Sequence, residues 1–437
     1  MAKNLYIDAS HPSETRVVLK SNSNIEDYEY ESINNTLIKN NIYLGKVSRI
    51  EPSLQAAFVD FGKERHGFLS FNDIQSDYFQ LPQSDLERIK QEEEKAREEL
   101  LKESEKNEEN ILNNGGQEIN NQDPLDQASI NGNSEKKIVE KKFPSKRYKI
   151  QEVIKPNQVI LVQVLKDERG LKGAALTTFI SIAGKYIVLM PNTPKGGGIS
   201  RKIFITSERK KIRNILNQIE IPKQMGIIVR TAGSNKTKNE IENDLNNLII
   251  VWDTIKEKAM NSMAPSLIHQ ESDIIKRALR DMYDDETQNI IVEGNEAYQK
   301  TKGYIKLMMP QNIKKVKKYR EKTPLFFKEK IELKLYEIFE STVKLTSGGY
   351  LVINPTEALV SIDVNSGKSI KQKNVESTAL DTNLEAAEEI ARQIKIRDLS
   401  GLIIIDFIDM LNYGNRRHVE RKLKEKCRLD RARIQIG

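Results

Sequence analysis

The segment Leu359-Val-Ser-Ile-Asp-Val364 is a short apolar run, and it predicts a buried strand. Leu402-Ile-Ile-Ile-Asp-Phe-Ile408 predicts a second strand of the same kind. Between them we expect a helix over residues 383–396, because Thr382 and Glu385 fit a capping box at its start. A strand, a helix and a strand within this distance indicate a parallel crossover unit.

Two aspartates, Asp363 and Asp406, lie near the C-terminal ends of these strands. If the strands are neighbours, both carboxylates leave the same end of the sheet, where open α/β sheets bind ligands. Two converging carboxylates repel each other unless a hard cation lies between them, so the pair predicts a Mg²⁺ site. Asn365 shares a strand face with Asp363 and could orient it, whereas Asp409 is a weaker candidate. The alternative is that these aspartates only cap loops.

The upstream part of the chain predicts a small OB-type barrel. Residues 43–69 contain short alternating strands, and residues 158–166 form another strand-rich piece. Between these pieces, residues 86–107 indicate a solvated charged helix, and residues 110–142 are rich in Asn, Gly, Gln and Glu without periodicity. We expect the latter stretch to be disordered, as an insertion in a barrel loop.

Phe58 and Phe68 lie beside the second barrel strand. Exposed aromatic side chains on such barrels stack RNA bases, while lysines follow the phosphates. The alternative is that one or both phenylalanines fill the barrel core.

Residues 179–264 predict a mixed α/β unit of strands and helices. Arg230-Thr231 ends one of its strands, where a guanidinium, a hydroxyl and loop amides could bind a terminal phosphate. A plain strand-end arginine is the alternative. Glycines at 196–198 fit no nucleotide-binding fingerprint and indicate a mobile loop. The basic cluster at 314–320 is either an RNA-facing patch or a solvated surface.

The composition sets limits on the class of protein. A chain of 437 residues suggests about three compact units. No apolar run approaches the ~20 residues needed to cross a bilayer, and the N-terminus lacks a secretory signal, so we expect a cytoplasmic protein. Cys427 is the only cysteine, which excludes an internal disulfide. The net charge of +7 is consistent with a nucleic-acid partner or with the Lys-rich composition of an AT-rich genome.

Long stretches of the chain resemble the ribonuclease E/G family. They are Ile50-Glu-Pro-Ser-Leu-Gln-Ala-Ala-Phe-Val-Asp-Phe-Gly62, Lys172-Gly-Ala-Ala-Leu-Thr-Thr-Phe-Ile-Ser181, Gly226-Ile-Ile-Val-Arg-Thr-Ala-Gly233, Thr356-Glu-Ala-Leu-Val-Ser-Ile-Asp-Val-Asn-Ser366, Asn383-Leu-Glu-Ala-Ala387 and Asp430-Arg-Ala-Arg-Ile-Gln435. The resemblance covers nearly the whole chain outside residues 86–142. The opening Ile-Asp-Ala-Ser-His-Pro and the Glu-rich insertion are most similar to the N-terminal catalytic region of alphaproteobacterial ribonuclease E.

This resemblance implies an α/β multidomain architecture. An RNase-H-like subdomain would combine residues 1–35 with residues 275–338. An OB-fold RNA-binding domain would span residues 36–178, with a disordered insertion at about 86–142. A 5′-sensor domain would span residues 179–274, and a deoxyribonuclease-I-like catalytic subdomain would span residues 339–437.

The resemblance also implies a function and the residues that perform it. The function would be a magnesium-dependent endoribonuclease that cleaves single-stranded AU-rich RNA, prefers a 5′-monophosphate, and acts in mRNA decay and in rRNA and tRNA processing. Asp363 and Asp406 would bind Mg²⁺, with Asn365 assisting catalysis. RNA would contact Phe58, Phe68 and Lys172. The pocket for the 5′-phosphate would comprise Gly184, Val188, Arg230, Thr231 and Arg433. The alternatives are ribonuclease G and a non-catalytic OB-fold RNA-binding protein.

The family continues into a Cys-Pro-x-Cys zinc link and a small dimerisation domain, whereas this sequence ends at Gly437 without that motif. On this resemblance, we expect the sequence to be either a fragment or a truncated protein. The resemblance implies zinc, a tetramer and RNA-degradosome partners only for a longer form. Such a form could also associate with the inner face of the cell membrane.

Overall fold

The computed structural model describes most of the chain. The described residues are 3–21, 24–32, 37–83, 85, 87–88, 148–168, 172–193, 198–200, 202–203, 205–222, 224–271, 273–367, 375–432 and 434–437. The predicted charged helix and disordered insertion at 86–142 thus lie almost wholly outside the described residues.

Strands dominate the described chain up to Ile199, and helices alternate with strands mainly from Thr206 onward. The strands are β1 (Lys3–Asp8), β2 (Glu14–Ser21), β3 (Asn24–Ser32), β4 (Ile42–Glu51), β5 (Ala56–Asp60), β6 (Gly67–Ser70), β7 (Val159–Lys166), β8 (Ala175–Thr177), β9 (Ile182–Ala183), β10 (Ile187–Met190), β11 (Gly198–Ile199), β12 (Gly226–Val229), β13 (Ser266–His269), β14 (Thr287–Glu293), β15 (Val316–Lys318), β16 (Thr342–Lys344), β17 (Tyr350–Pro355), β18 (Leu359–Asn365) and β19 (Leu402–Asp406).

The helices differ widely in length. They are α1 (Ile150–Val153), α2 (Thr206–Asn217), α3 (Lys238–Asn261), α4 (Ile274–Asp281), α5 (Asn295–Met308), α6 (Leu325–Lys328), α7 (Ile331–Glu337), α8 (Val375–Ile396) and α9 (Tyr413–Cys427). No helix among the described residues combines the length and the apolarity that crossing a bilayer requires.

The chain divides into two compact units. One unit consists of Met1–Thr36 together with Ile274–Gly437, and the other of Leu37–Asp273. The second unit is therefore inserted into the first along the sequence.

The discontinuous unit contains two sheets. The first has the strand order β15-β14-β1-β2-β3, in which β1 pairs in parallel with β14 and antiparallel with β2. Leu5 and Ile7 face α4 and α5, whereas Tyr6 between them faces α6 and α7. Alternate side chains of β1 thus enter two apolar layers, one on each face of the sheet.

The second sheet has the order β16-β17-β18-β19 and carries the two aspartates. One of its faces packs against α8 and α9, with Leu351, Ile362 and Ile390 in the core between them. Cys427 lies in the same core, and burial raises the pKa of its thiol to about 11. This pKa is consistent with a packing role for the cysteine.

The inserted unit contains a barrel and a further sheet. The strands β4, β5, β6, β8 and β7 pair in that order, and pairing of β7 with β4 closes an OB-like barrel. Small and branched side chains such as Val47, Val59 and Leu176 fill its interior. The further sheet has the order β11-β12-β10-β9 and packs against α2 and α3.

The structure confirms the predicted crossover unit and corrects its helix. β18 and β19 are parallel, with α8 between them in sequence. The predicted capping box is wrong, because α8 begins at Val375 and Thr382 is a fully buried residue within it. Glu385 instead accepts hydrogen bonds from the backbone N–H groups of Thr346 (2.6 Å) and Ser347 (3.3 Å). Of the predicted glycine loop, residues 196–197 lie outside the described residues, and Gly198 begins β11.

Candidate active site

Asp363 and Asp406 are direct partners in the parallel ladder between β18 and β19. Side chains that face each other across a ladder lie on the same side of the sheet, at strand spacings of about 4.8 Å. Ile362 and Val364, which flank Asp363, are buried under α8, whereas both aspartates are exposed. The fold therefore brings the two carboxylates side by side on the open face of the sheet.

Asn365 lies on the same face, at the end of β18. Its Nδ2 donates a hydrogen bond to Oδ2 of Asp363 over 2.8 Å. The bond fixes the orientation of that carboxylate and directs the amide oxygen of Asn365 away from it. The structure thus joins all three residues that the sequence proposed for catalysis, although their roles stay predictions.

Polar side chains on α8 hold the loops around this site. Glu376 accepts hydrogen bonds from the backbone N–H groups of Leu411 (3.2 Å) and Asn412 (3.1 Å), in the loop after β19. These bonds lower the pKa of the Glu376 carboxyl. Asn383 donates to the carbonyl of Ile408 at 2.9 Å and accepts from its N–H at 3.1 Å. The segment that follows Asp406 is therefore fixed at several points.

The donor set of this site consists of oxygen atoms, from two carboxylates and one amide. Mg²⁺ binds through one or two carboxylates and retains several water ligands, so it tolerates such a sparse set. Within the described part of the chain, no three His, Cys, Asp or Glu side chains gather where they could hold a metal ion. The pair fits an open magnesium site better than a closed zinc site.

The candidate RNA-binding aromatics lie together on the outside of the barrel. Phe58 and Phe68 are direct partners across β5 and β6, with ring centroids 6.0 Å apart in an edge-to-face arrangement. Their strand neighbours Val59 and Leu69 point into the barrel core instead. The rings are half-buried, so the alternative that they fill the core is not supported.

Basic side chains adjoin this aromatic pair. The guanidinium of Arg49, on β4, lies over the Phe58 ring at 4.4 Å from its centroid. Lys172 is exposed and lies two residues before Ala174, whose carbonyl accepts a hydrogen bond from the N–H of Phe68 at 2.8 Å. The outer barrel surface therefore combines two aromatic rings with positive charge.

The candidate 5′-phosphate residues centre on a turn between β9 and β10. Nη1 of Arg230 donates to the carbonyl of Gly184 over 2.8 Å, and the Arg230 N–H donates to the carbonyl of Tyr186 over 2.8 Å. Thr231 follows at an exposed position, and Val188 pairs with Ile228 one strand away. Arg433 lies outside the described residues.

Asp244, on α3, organises this turn. Its Oδ2 accepts hydrogen bonds from the N–H groups of Tyr186 (2.9 Å) and Ile187 (3.1 Å). A Cβ added at Gly184 would lie only 2.6 Å from that oxygen, so the approach of the carboxylate requires glycine there. Burial raises the pKa of Asp244, and this effect outweighs the hydrogen bonds and the nearby charge of Arg230, which lower it.

A family model with the description Ribonuclease E/G family matches residues 181–437, which include the aspartate pair and the Arg230 turn. The chain belongs to the ribonuclease E/G family. Similarity to individual members of the family extends over the barrel as well, since it covers nearly the entire chain.

Three relatives within the ribonuclease E/G family show the extent of this similarity. Ribonuclease E of Haemophilus influenzae is 40% identical over 435 residues, covering 100% of this chain and 40% of that protein. Ribonuclease E of Escherichia coli strain K12 is 40% identical over 436 residues, covering 100% of this chain and 35% of that protein. Ribonuclease G of the same strain is 30% identical over 426 residues, covering 98% of this chain and 75% of that protein. The chain therefore spans well under half the length of the two ribonuclease E proteins.

Several residues that shape the sites of this ribonuclease E/G family member have little or no signal in its sequence. The sequence places Arg49 in a predicted strand close to the strand that carries Phe58. It does not give the register of these two strands, so the contact between the two residues was not predictable. Nothing in the sequence distinguishes Asp244 and Glu376, since acidic residues on helices are usually solvated. Their hydrogen-bond partners lie 57 and 35 positions away in sequence.

Proposed function

We propose that this chain contains the catalytic region of a magnesium-dependent endoribonuclease that cuts single-stranded RNA. The observation that carries the proposal is the register that makes Asp363 and Asp406 direct neighbours on an exposed sheet face. Membership of the ribonuclease E/G family supports it, as do the names of relatives at 40% identity.

In this proposal, Asp363 and Asp406 hold the ion and Asn365 orients Asp363. A bound Mg²⁺ polarises a phosphoryl oxygen and lowers the pKa of a bound water. The open sheet face leaves room for a phosphodiester beside the carboxylates, while Glu376 and Asn383 limit the movement of the loop after Asp406.

RNA binding is assigned to the barrel surface. Phe58 and Phe68 would stack bases, a contact that accepts any base because every base has a π-face. Lys172 would neutralise a phosphate, and the net charge of +7 favours a polyanionic substrate. AU-rich preference, and action in mRNA decay and in rRNA and tRNA processing, belong to this proposal through the family resemblance.

A preference for a 5′-monophosphate is assigned to the Arg230 turn. The fork of the guanidinium and the hydroxyl of Thr231 can bind phosphate oxygens together, with Gly184 and Val188 forming the surrounding surface. A triphosphate carries more charge and bulk than such a pocket accommodates. Arg433 is included from the family resemblance alone.

The finer architecture is also a proposal. We assign residues 1–35 and 275–338 to an RNase-H-like subdomain and residues 339–437 to a deoxyribonuclease-I-like subdomain. Greater identity to the two ribonuclease E proteins than to ribonuclease G favours a ribonuclease E type. The zinc site, tetramer and degradosome partners of a longer form stay predictions.

Substitution of Asp363 tests the catalytic assignment. Asp363→Asn removes one of two carboxylates, so we expect the rate of magnesium-dependent cleavage to fall by at least about 100-fold. RNA affinity should stay near the unsubstituted value, because the barrel is unchanged. Cleavage of a fluorescent single-stranded oligonucleotide and its binding in calcium would measure the two quantities.

Glu357→Gln is the matched control, since Glu357 is an exposed carboxylate in the turn between β17 and β18, at the end of the sheet opposite to the aspartate pair. It should cleave at an unchanged rate. If Asp363→Asn cleaved normally, or if chelation of magnesium left cleavage intact, the nuclease assignment would be wrong. RNA binding without cleavage by the unsubstituted protein would instead favour a non-catalytic RNA-binding role.

A further inference from the structure

The open face that carries the aspartates continues across the neighbouring strands. Tyr350 on β17 is the direct partner of Asn365, and Lys344 on β16 is the direct partner of Tyr350. In the adjacent row, Val352 is the partner of Asp363. Because paired residues share a face, Tyr350 and Lys344 lie on the same side of the sheet as the carboxylates.

The pattern of exposure agrees with this placement. Leu351 and Ile353 are buried against α8, whereas Tyr350 retains 36% of its accessible surface and Lys344 is exposed. An aromatic ring and an ammonium group therefore occupy positions on the open face rather than in the core.

The Tyr350 ring lies close to the turn that follows β18. A Cβ added at Gly367 would lie 3.4 Å from Cδ1 of Tyr350 and 2.6 Å from the carbonyl of Gly348. Gly367 also has a φ of +53°, which favours glycine. The turn can therefore approach the ring closely, while the strand register places Tyr350 beside Asn365.

The distance between Tyr350 and the aspartate pair is comparable to the distance between adjacent nucleotides of an RNA strand. Diagonal neighbours on adjacent strands are about 7–8 Å apart, so the tyrosine ring begins within one nucleotide of the Asp363–Asp406 pair. Lys344 lies one strand further along the same row. A single-stranded RNA that crosses this face would meet a metal site, an aromatic ring and a cation in succession.

We propose that Tyr350 stacks on the base adjacent to the scissile phosphate and that Lys344 binds the next phosphate. The proposal rests on the nuclease function proposed above and adds a subsite to it. Because stacking accepts any base, Tyr350 would require that a base be present at this position without selecting its identity.

Removal of single bases from the substrate tests this subsite. The substrates are single-stranded oligoribonucleotides with one cleavage site, each carrying an abasic residue at one position on either side of the scissile bond. For the unsubstituted protein, we expect kcat/KM to fall by about 5- to 100-fold at one position adjacent to that bond, as loss of one stacked base would produce.

For Tyr350→Ala, kcat/KM on the intact substrate should fall by the same factor. It should not fall further on the substrate whose abasic residue lies at the sensitive position. Tyr350→Phe should behave like the unsubstituted protein, because it keeps the ring. Tyr336→Ala is the control, since Tyr336 is another exposed tyrosine, on α7. For Lys344→Ala, the plot of log(kcat/KM) against log salt concentration should become about 0.7 shallower, as expected for one lost phosphate contact.

These results separate the two proposals. Absence of magnesium-dependent cleavage by the unsubstituted protein would refute the nuclease function. Cleavage that is insensitive to an abasic residue on both sides of the scissile bond would refute the stacking subsite alone. The same conclusion would follow if Tyr350→Ala kept full sensitivity to the abasic residue.

Discussion

Asp244 links the stability of the inserted unit to the geometry of the candidate phosphate pocket. One carboxylate oxygen accepts hydrogen bonds from the N–H groups of Tyr186 and Ile187, and the turn that they form supplies the Gly184 carbonyl to Arg230. The carboxylate therefore orients Arg230 indirectly, as a positioning residue.

We expect Asp244→Ala to be destabilising, because it removes the acceptor of three backbone N–H groups, those of Lys185, Tyr186 and Ile187. Each N–H left without an acceptor costs about 1–3 kcal/mol in the free energy of unfolding. Asp244→Asn should cost much less, since its amide oxygen can replace Oδ2. Urea denaturation at pH 7 would measure both variants, and equal losses would contradict this explanation.

The pH dependence of the unfolding free energy provides an independent check on Asp244. Burial raises its folded-state pKa above the ordinary value of 3.8, so the folded protein binds the proton more tightly than the unfolded chain does. The stabilisation that results from this tighter proton binding is complete below pH 3.8. It is lost as the pH rises through the raised folded-state pKa of Asp244. Asp244→Asn should remove this part of the pH dependence.

At the scale of single elements, α8 connects the core under the sheet that carries Asp363 and Asp406 to the loops of that sheet. Its apolar face packs under β18, while Glu376, Asn383 and Glu385 bind the loops on both sides of the aspartate pair. A single helix therefore sets the position of the two strands that carry the aspartates and of the segments that flank them.

We expect Glu376→Gln to raise the magnesium concentration for half-maximal cleavage by about 10-fold, as substitutions around metal ligands commonly do. A glutamine has one acceptor oxygen and cannot replace both carboxylate oxygens that bind Leu411, Asn412 and Asn415. Glu425→Gln, at an exposed position on α9, is the control. A normal magnesium requirement for Glu376→Gln would show that the loop needs no such support.

Hydrogen bonds depress the folded-state pKa of Glu376, so its contribution to stability has the opposite pH dependence to that of Asp244. The contribution of Glu376 to stability is present above pH 4.5. It is lost as the pH falls through the lowered folded-state pKa of Glu376. The difference in melting temperature between the unsubstituted protein and Glu376→Gln should therefore shrink on acidification.

The elements of the sheet that carries Asp363 and Asp406 show what the sequence could predict. Apolar runs at 359–364 and 402–408 identified β18 and β19, and the crossover rule placed their aspartates at one end of the sheet. The start of α8 was not predictable, because Ser377, Thr378 and Asp381 lower the intrinsic helix propensity of its first turns. Burial of Ala379 and Thr382 offsets that disadvantage, and only the folded structure shows it.

On the scale of the whole molecule, the described structure comprises two units that each carry part of the proposed function. The discontinuous unit contains the aspartate pair, and the inserted unit contains the barrel and the Arg230 turn. Local patterns could not predict that β1 pairs with β14, because Lys3 and Thr287 are separated by the entire inserted unit. Only the family resemblance joined these two parts of the chain.

A cluster of ion pairs fixes the C-terminal segment within the discontinuous unit. The Arg431 guanidinium lies 3.3 Å from Asp27, 3.2 Å from Glu29 and 3.6 Å from Asp281. These carboxylates raise the pKa of Arg431 against the opposing effect of burial. Arg431, two positions before the candidate residue Arg433 in sequence, is thereby attached to the sheet that contains β3.

The candidate sensor and the aspartate pair belong to different units. A substitution at Arg230 therefore tests whether the inserted unit influences cleavage at the aspartate pair. We expect the unsubstituted protein to prefer 5′-monophosphorylated over 5′-triphosphorylated RNA by about 10- to 100-fold, and Arg230→Ala to remove this preference. The magnitude is that of one charge-assisted contact with a phosphate, which the substitution removes. The rate on RNA with a 5′-hydroxyl should not change, since that substrate offers no phosphate to Arg230. Parallel cleavage assays on the three RNAs would measure these ratios.

Arg230→Lys is the matched control, because it keeps the positive charge but lacks the planar fork that binds two oxygens at once. It should retain only part of the preference. Equal loss of rate on all three RNAs would show that Arg230 supports the fold of the inserted unit rather than reading the 5′ end. An unchanged preference in Arg230→Ala would place 5′-end recognition on other residues.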